Sequence, residues 1–151
     1  MTNAEIDFAT IADLSPLADL LAELFTQESD FFPDREKQLS GLRTILSEPV
    51  LGRLFVLRVN GNVAGMANAL ITVSTAEGGR VLILEDVIIG RAFRGKGMGK
   101  QLVEAVLRWA EAEGMRRVTL LTDNDNSAAQ HLYRKLGFVT SDMQVMRKYL
   151  G

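Results

Sequence analysis

The chain of 151 residues has no cysteine and only one histidine, His131. The lack of cysteine excludes a disulfide framework, a thiolate nucleophile and any cysteine-ligated metal. A single histidine also excludes a histidine-rich zinc site, so we expect no metal. Only three prolines and no glycine or serine tract occur, which indicates that the chain has no linker. Its length predicts one domain that spans residues 1–151.

The chain also lacks a positive excess and a long apolar run. Its 17 Lys and Arg oppose 19 Asp and Glu, a formal net charge of −2, which argues against nucleic acid as a partner. The longest apolar stretch, residues 81–89, is broken by Glu85 and Asp86 and is too short to span a bilayer. The first residues show no signal-peptide pattern. We therefore expect a soluble, cytoplasmic protein with no membrane partner.

The spacing of apolar residues predicts the order of the elements. Helices are predicted over residues 15–26 and 36–47, in a long helix that begins at the glycine-rich turn 94–99, and in a short helix that ends at Gly137. Strands are predicted over residues 6–10, 54–59, 63–74, 81–89 and 118–121, with one or two final strands over 138–150. This order predicts an α/β (α+β) fold in which about four helices flank a mixed, mostly antiparallel central sheet.

A glycine-rich turn, Arg94-Gly95-Lys96-Gly97-Met98-Gly99, lies between a predicted strand and a predicted helix. Unpaired amides at a helix N-terminus, with the cations of Arg94, Lys96 and Lys100 nearby, suit a diphosphate. The P-loop pattern fails because residue 97 is glycine rather than Ser or Thr. The dinucleotide-binding pattern fails because Leu102 stands where its third glycine belongs. An ordinary strand-to-helix turn with exposed cations is the alternative.

Two motifs together resemble the GNAT N-acetyltransferase superfamily. Arg94-x-x-Gly97-x-Gly99 is similar to the acetyl-CoA pyrophosphate loop of that family, and residues 126–138 are similar to its C-terminal signature. The resemblance is closest from residue 84 to residue 138. It implies a GNAT-like fold and an acyltransferase that uses acetyl-CoA as co-substrate to acetylate a primary amine. The amine would attack the thioester directly in a ternary complex.

The resemblance also implies a role for individual residues. The pyrophosphate would be held by Arg94, Gly95, Lys96, Gly97, Met98, Gly99 and Lys100. The pantetheine arm would pair with Val87, Ile88 and Ile89, and one of these amides would polarise the acetyl carbonyl. Asn126 would bond the pantetheine, and Tyr133 would contact the coenzyme and act as the general acid that protonates the departing thiolate. Simple packing on the core is the alternative role for Tyr133.

Two carboxylates interrupt the apolar strand predicted over residues 81–89. Strict alternation would put Glu85 on one face with Val87 and Ile89, and Asp86 on the other face with Ile88. A buried carboxylate needs a cation, a hydrogen-bond donor or water. Because several members of the resembled family carry a glutamate here, Glu85 is our candidate for the catalytic base, acting through water, with Asp86 in reserve. A structural ion pair is the alternative for each.

In the resembled family the acceptor lies near the first two helices and the loop between them, here residues 27–35. Its acidic side chains would attract a cationic amine and its aromatic side chains would pack on the apolar part; these are Glu28, Asp30, Asp34, Phe31 and Phe32. A solvated loop is the alternative. We expect a polyamine, aminoglycoside-like or amino-acid-like acceptor. The alternatives are a peptide or protein amine (an N-terminus or a lysine) and a non-catalytic acyl-CoA-binding module, and the final strands are candidates for pairing in a homodimer.

Overall fold

The computed structural model describes residues 3–28 and 32–151. Its strands are β1 (Ala4–Phe8), β2 (Gly52–Val59), β3 (Asn62–Ser74), β4 (Gly79–Ile89) and β5 (Val118–Leu120), and its helices are α1 (Leu14–Gln27), α2 (Arg35–Ser47), α3 (Met98–Ala112) and α4 (Ser127–Lys135). The strands form one sheet in the order β1-β2-β3-β4-β5. The β4–β5 pair is parallel and the other pairs are antiparallel. The predicted fold class is therefore confirmed.

The sheet separates two apolar cores. Because side chains alternate along a strand, β2 contributes to both: Leu54 and Val56 pack with α1 and α2, whereas Phe55 and Leu57 pack with α3. The α4 helix joins the α3 side through Tyr133. No helix among the described residues is long and apolar enough to cross a membrane. The cores hold α1 and α3 on opposite faces of one sheet.

The turn between β2 and β3 follows its sequence signal. Asn60 has φ 51° and Gly61 has φ 83°, the left-handed pair that a two-residue hairpin of type I′ requires. This turn sets the register that begins with Val59 opposite Asn62. The Asn60-Gly61 pair thus forms the tight hairpin that this dipeptide favours.

A β-bulge interrupts β4 at Asp86. Asn68 lies opposite Glu85 and Met66 lies opposite Ile88, so two residues of β4 fall in the space of one residue of β3. Asp86 takes up the extra length with φ 53°, a left-handed conformation that costs energy in any residue except glycine. The bulge thus lies at Asp86, directly after Glu85 in β4.

The bulge also shifts the alternation of β4. Before it, Leu82 and Leu84 pack on the α3 side; after it, Val87 and Ile89 pack on that same side and Ile88 packs on the α1 side. The expectation that strict alternation continues through Asp86 is therefore wrong. The physical reason is that one extra residue reverses the side to which every later side chain points.

The prediction of final strands over residues 138–150 is also wrong. The structure assigns no strand there, and every residue from 139 to 151 is exposed. Phe138 still packs on Tyr133, with ring centroids 5.9 Å apart. Beyond it Val139, Met143, Val145 and Tyr149 fall on alternate positions, which is the pattern of a strand face. The structure nevertheless leaves all four side chains exposed, so this pattern alone does not produce a strand.

A buried ion pair fixes the turn that precedes α1. Asp13 is 5% exposed and accepts two hydrogen bonds of 2.8 Å from Nη1 and Nη2 of Arg58 on β2. The same carboxylate accepts a 2.8 Å bond from the backbone N–H of Thr10. The Arg58 guanidinium and these hydrogen bonds lower the pKa of Asp13 below its ordinary value. The pair therefore ties the start of α1 to β2.

An aromatic cluster joins β1, β2 and α3. Trp109 lies edge-on to Phe55 at 5.5 Å and to Phe8 at 6.2 Å between ring centroids. The Arg53 guanidinium lies 5.7 Å from the Phe8 ring and 6.0 Å from the Trp109 ring, within the range of a cation–π contact. Edge strand β1 is thus held by side chains as well as by its ladder with β2.

Two glycines give a matched test of packing. A Cβ atom at Gly52 on β2 would overlap the Ala69 carbonyl oxygen and lie 3.1 Å from the Leu70 Cα atom, whereas a Cβ at Gly41 on α2 would meet no atom within 4 Å. We expect Gly52→Ala to lower the free energy of unfolding by about 1–3 kcal/mol. The control Gly41→Ala should raise it by about 0.5–1 kcal/mol. Urea denaturation measures both; equal effects would contradict the backbone overlap.

Candidate functional site

A cavity of about 250 Å³ opens where β4 and β5 stop pairing. The two strands pair only from Leu82 opposite Val118 to Leu84 opposite Leu120. Beyond that point, residues of β4 and of the loop after β5 line the cavity, and the end of α1 and one side chain of α4 complete it. The polar lining residues are Gln27, Glu28, Glu85, Asp86, Thr122, Asp123, Asp125, Asn126 and Tyr133. A ligand can therefore enter between the two strands at the carboxyl end of β5.

The glycine-rich turn lies at the N-terminus of α3. Gly95 has φ 79° and Gly97, the N-cap, has φ 77°, so these two positions require the conformational freedom of glycine. A Cβ at either position would meet no atom within 4 Å. The N–H of Gln101 bonds to Gly97 O at 3.2 Å, which leaves the amides before it without a partner inside the helix. The open backbone and the exposed Lys96 and Lys100 fit a diphosphate.

The Arg94 guanidinium lies between the glycine-rich turn and α1. Its Nε donates to Ile89 O at 2.9 Å, and its Nη2 lies 3.7 Å from a Glu23 carboxylate oxygen. With the Gln27 amide oriented so that its oxygen faces the guanidinium, that oxygen accepts from Nη2 at 2.8 Å. Arg94 therefore links the turn to the last turns of α1, and its contact with a pyrophosphate stays a prediction.

Tyr133 reaches the cavity from α4 and is 9% exposed. Burial and the nearby Glu28 carboxylate raise the pKa of its phenol to about 12. Asn126, the N-cap of α4, accepts from the Ala129 N–H at 3.2 Å through its side-chain oxygen, so its amide NH₂ is the end left to meet a ligand. Both residues predicted from the C-terminal signature thus line one cavity.

Three carboxylates of the cavity have raised pKa values. Burial, with the charges of Asp123, Asp86 and Glu85, raises the pKa of Glu28 to about 7. Burial and the neighbouring Asp86 raise the pKa of Glu85. Burial raises the pKa of Asp86, although Asn68 Nδ2 donates to that carboxylate at 3.2 Å. Crowded, partly desolvated carboxylates of this kind attract a cation and bind a proton more tightly than exposed ones.

The structure brings together only part of the predicted site. Glu28, Glu85, Asp86, Val87, Asn126 and Tyr133 line the cavity, whereas Ile88 is buried against the α1 side. Asp34 caps α2 by accepting from the Lys37 N–H at 3.2 Å, and Phe32 is 88% exposed. The predicted acceptor contacts of Asp30 and Phe31 lie outside the described residues.

Sequence reasoning missed two acidic residues of the cavity, Asp123 and Asp125. Both lie in the loop after β5. The signal was present in the polar run Asp123-Asn124-Asp125-Asn126, since ligands bind beyond the carboxyl ends of strands in sheets of this type. The loop thus supplies acidic residues as well as the cap of α4.

Comparisons with known proteins point to one family. The sequence model of the Acetyltransferase (GNAT) family matches residues 16–138. An aminoglycoside N(6')-acetyltransferase type 1 of Salmonella typhimurium is 32% identical over 87 residues, 56% of this chain and 60% of that protein. A mycothiol acetyltransferase of Renibacterium salmoninarum is 31% identical over 117 residues, 76% of this chain and 35% of that protein. The chain thus spans less than two thirds of the length of these relatives.

Solved structures share the fold. A possible acetyltransferase from Clostridium difficile 630 has a TM-score of 0.86 at 20% identity and covers 97% of both chains. The aminoglycoside N-acetyltransferase AAC(6')-Iy, solved in complex with CoA, has a TM-score of 0.82 at 23% identity and covers 99% of this chain and 96% of its own. At these identities the likeness concerns the fold.

Proposed function

Because the chain belongs to the GNAT acetyltransferase family, we propose that it transfers the acetyl group of acetyl-CoA to a primary amine of a small molecule. The proposal rests on one observation: the Tyr133 phenol and a group of carboxylates line the same cavity, at the point where β4 and β5 separate. A phenol can protonate a leaving thiolate, and a carboxylate can take a proton from an ammonium group. The proposal treats residues 1–151 as one catalytic domain.

The coenzyme would lie along β4 and the N-terminus of α3. Backbone amides of residues 95–100, with Lys96 and Lys100, would hold the diphosphate. Val87, Ile88 and Ile89 would offer their backbone to the pantetheine arm, because in the described sheet the β5 ladder ends at Leu84 and leaves this edge of β4 without a strand partner. The Asn126 amide NH₂ would donate to the same arm. Arg94 would keep α1 against the turn and add positive charge.

The chemistry would be a single displacement. The neutral amine attacks the carbonyl carbon of the thioester, so that a C–N bond forms and the C–S bond breaks. A backbone amide of residues 87–89 stabilises the negative charge on the carbonyl oxygen. The phenol of Tyr133 gives its proton to the sulfur and recovers one from the nitrogen. Since the Tyr133 pKa is raised to about 12, the phenol stays protonated at neutral pH, as a general acid must.

The acceptor would be a cationic small molecule. Among the described residues that line the cavity, five carry a carboxylate and none is Lys or Arg, which favours a positively charged ligand. Similarity to a protein named for aminoglycosides and another named for mycothiol supports a small-molecule acceptor. A location in the cytoplasm and assembly into a homodimer stay predictions.

The test is release of free CoA from acetyl-CoA with a panel of polyamines, aminoglycosides, amino acids and short peptides. We expect turnover with a small polycationic amine, whose mass should increase by one acetyl group. A reaction without amine is the control for simple hydrolysis. CoA binding without turnover on any amine would favour a binding module, and a lack of CoA binding would overturn the proposal.

A further inference from the structure

Glu28 lies at the end of α1. It is the first residue after the helix, and its N–H bonds to Leu24 O at 3.1 Å. Its side chain lines the same cavity as Glu85 and Tyr133. A helix C-terminus carries a partial negative charge, so this position favours a protonated carboxyl group or a bound cation. Glu28 is therefore placed to meet an ammonium group and to take a proton from it.

Asp86 is engaged in the fold. Its carboxylate accepts the 3.2 Å hydrogen bond from Asn68, and its backbone forms the bulge of β4. Asn68 itself is only 5% exposed. Loss of this contact would leave a buried amide without an acceptor, at a cost to stability. Asp86 therefore has a structural role, because it forms the bulge of β4 and binds Asn68.

Glu85 and Glu28 differ in their relation to the phenol. The Glu28 charge is one of the two causes that raise the Tyr133 pKa, the other being burial, and Glu85 is not among them. The attacked carbon is bonded to the sulfur and becomes bonded to the nitrogen. A base for the amine must therefore lie near the acid that serves the thiolate. Glu28, which lines the cavity with Tyr133 from the end of α1 and whose charge acts on the phenol, meets this requirement.

We infer that Glu28 is the catalytic residue that accepts the proton of the acceptor ammonium group. This inference rests on the proposed function and deepens it, because it replaces Glu85 as the base and identifies a primary ammonium group at the end of α1 as what the cavity recognises. The bound R–NH₃⁺ transfers one proton to the Glu28 carboxylate and becomes R–NH₂. After acetyl transfer, the Glu28 carboxyl group releases that proton to water, so the cycle yields the amide, CoA and one proton.

The electrostatics of Glu28 support this role. Asp123, Asp86 and Glu85 face it with negative charge, Arg147 faces it with positive charge, and Tyr133 lines the same cavity. The balance, with burial, raises the pKa of Glu28 to about 7. A base with such a pKa is ionised in much of the population at neutral pH and still binds a proton well.

The test is the pH dependence of kcat/KM for the best amine of the panel. Because the ionised form of Glu28 is required, activity should rise as the pH increases through about 7. We expect Glu28→Gln to lower kcat about 100-fold or more and to abolish this rise. Glu85→Gln, the same change at another residue of the cavity, should keep the rise but move it to lower pH, because it removes one of the charges that raise the pKa of Glu28. An amine with a pKa of about 10 places its own ionisation well above this range.

The controls separate this inference from the proposed function. Glu28→Asp should restore part of kcat, Glu36→Gln on α2 should leave kcat unchanged, and equal melting temperatures show that each variant folds. Wild-type turnover with an unchanged pH rise in Glu28→Gln would overturn the inference alone. An increase only in the KM for the amine would do the same, because it would make Glu28 a binding residue. A lack of wild-type turnover would overturn the proposed function and the inference with it.

Discussion

Tyr133→Phe is expected to lower kcat by about 100-fold or more, because it removes the O–H that protonates the departing thiolate. The ring remains, so its packing on Phe138 and the KM for acetyl-CoA should change little. The raised pKa of Tyr133, about 12, also predicts that the wild-type enzyme loses no activity through phenol ionisation near neutral pH. Steady-state kinetics with the best amine measures both quantities.

The chain offers a matched control in its second tyrosine. Tyr149 is 74% exposed, so Tyr149→Phe removes the same hydroxyl group far from any buried contact and should leave kcat unchanged. Tyr133→Phe should also keep the pH rise assigned to Glu28, because the phenol, with a pKa of about 12, is neutral over the range in which Glu28 titrates. A Tyr133→Phe variant with wild-type kcat would refute the role of the phenol.

Asp13→Asn is expected to lower the free energy of unfolding by about 3 kcal/mol, the low end of the range for breaking a buried ion pair. The substitution keeps the shape of the side chain but leaves the Arg58 guanidinium with one hydrogen-bond acceptor fewer and no opposite charge at 2.8 Å. The matched control is Asp19→Asn. Asp19 pairs with Arg35 at 2.8 Å, but the two side chains are 68% and 49% exposed, so the loss should stay below about 1 kcal/mol.

The effect of Asp13→Asn should depend on pH in a defined direction. The pKa of Asp13 is lower in the folded protein than its ordinary value of 3.8, so the folded state favours the ionised carboxylate. The stabilisation is present above about pH 4 and is lost as the pH falls through the folded pKa. Urea denaturation should therefore give a difference between wild type and variant that is constant near neutral pH and shrinks in acid. A difference that grows in acid would contradict the ion pair.

Local chemistry predicted most of the fold. The left-handed Asn60-Gly61 turn and the end of α4 before Gly137 each depend on one or two residues whose backbone preferences are strong. The cores were predictable for the same reason, since the spacing of Leu54 to Leu57 on β2 defines two faces directly. Elements with a short-range cause were thus found from the sequence.

The bulge at Asp86 could not be predicted in this way. It arises from the pairing of β4 with β3, where Asn68 meets Glu85 and the Asn68 amide binds Asp86. No pattern within residues 81–89 shows which residue of β3 lies opposite each residue of β4. The prediction of strands in the final segment was wrong for a related reason. Val145 and Met146 are apolar residues that favour a strand, but both are exposed and the structure pairs them with no strand.

The candidate site was predicted unevenly. Asn126 and Tyr133 belong to a motif and line the cavity. The raised pKa of Glu28 depends on carboxylates that are far apart in sequence, Asp123 among them, so the chain order alone does not reveal it. Arg94 was predicted from its motif, but its contact with Glu23 depends on how α1 lies against the turn.

The aromatic cluster at β1 gives the molecule a built-in optical reporter. Trp109 is the only tryptophan in the chain, and it lies against Phe8 and Phe55 rather than in the cavity. Its emission should therefore follow the detachment of β1 from α3. Fluorescence will report unfolding of the sheet edge and stay nearly silent when a substrate binds, so the two events can be followed separately.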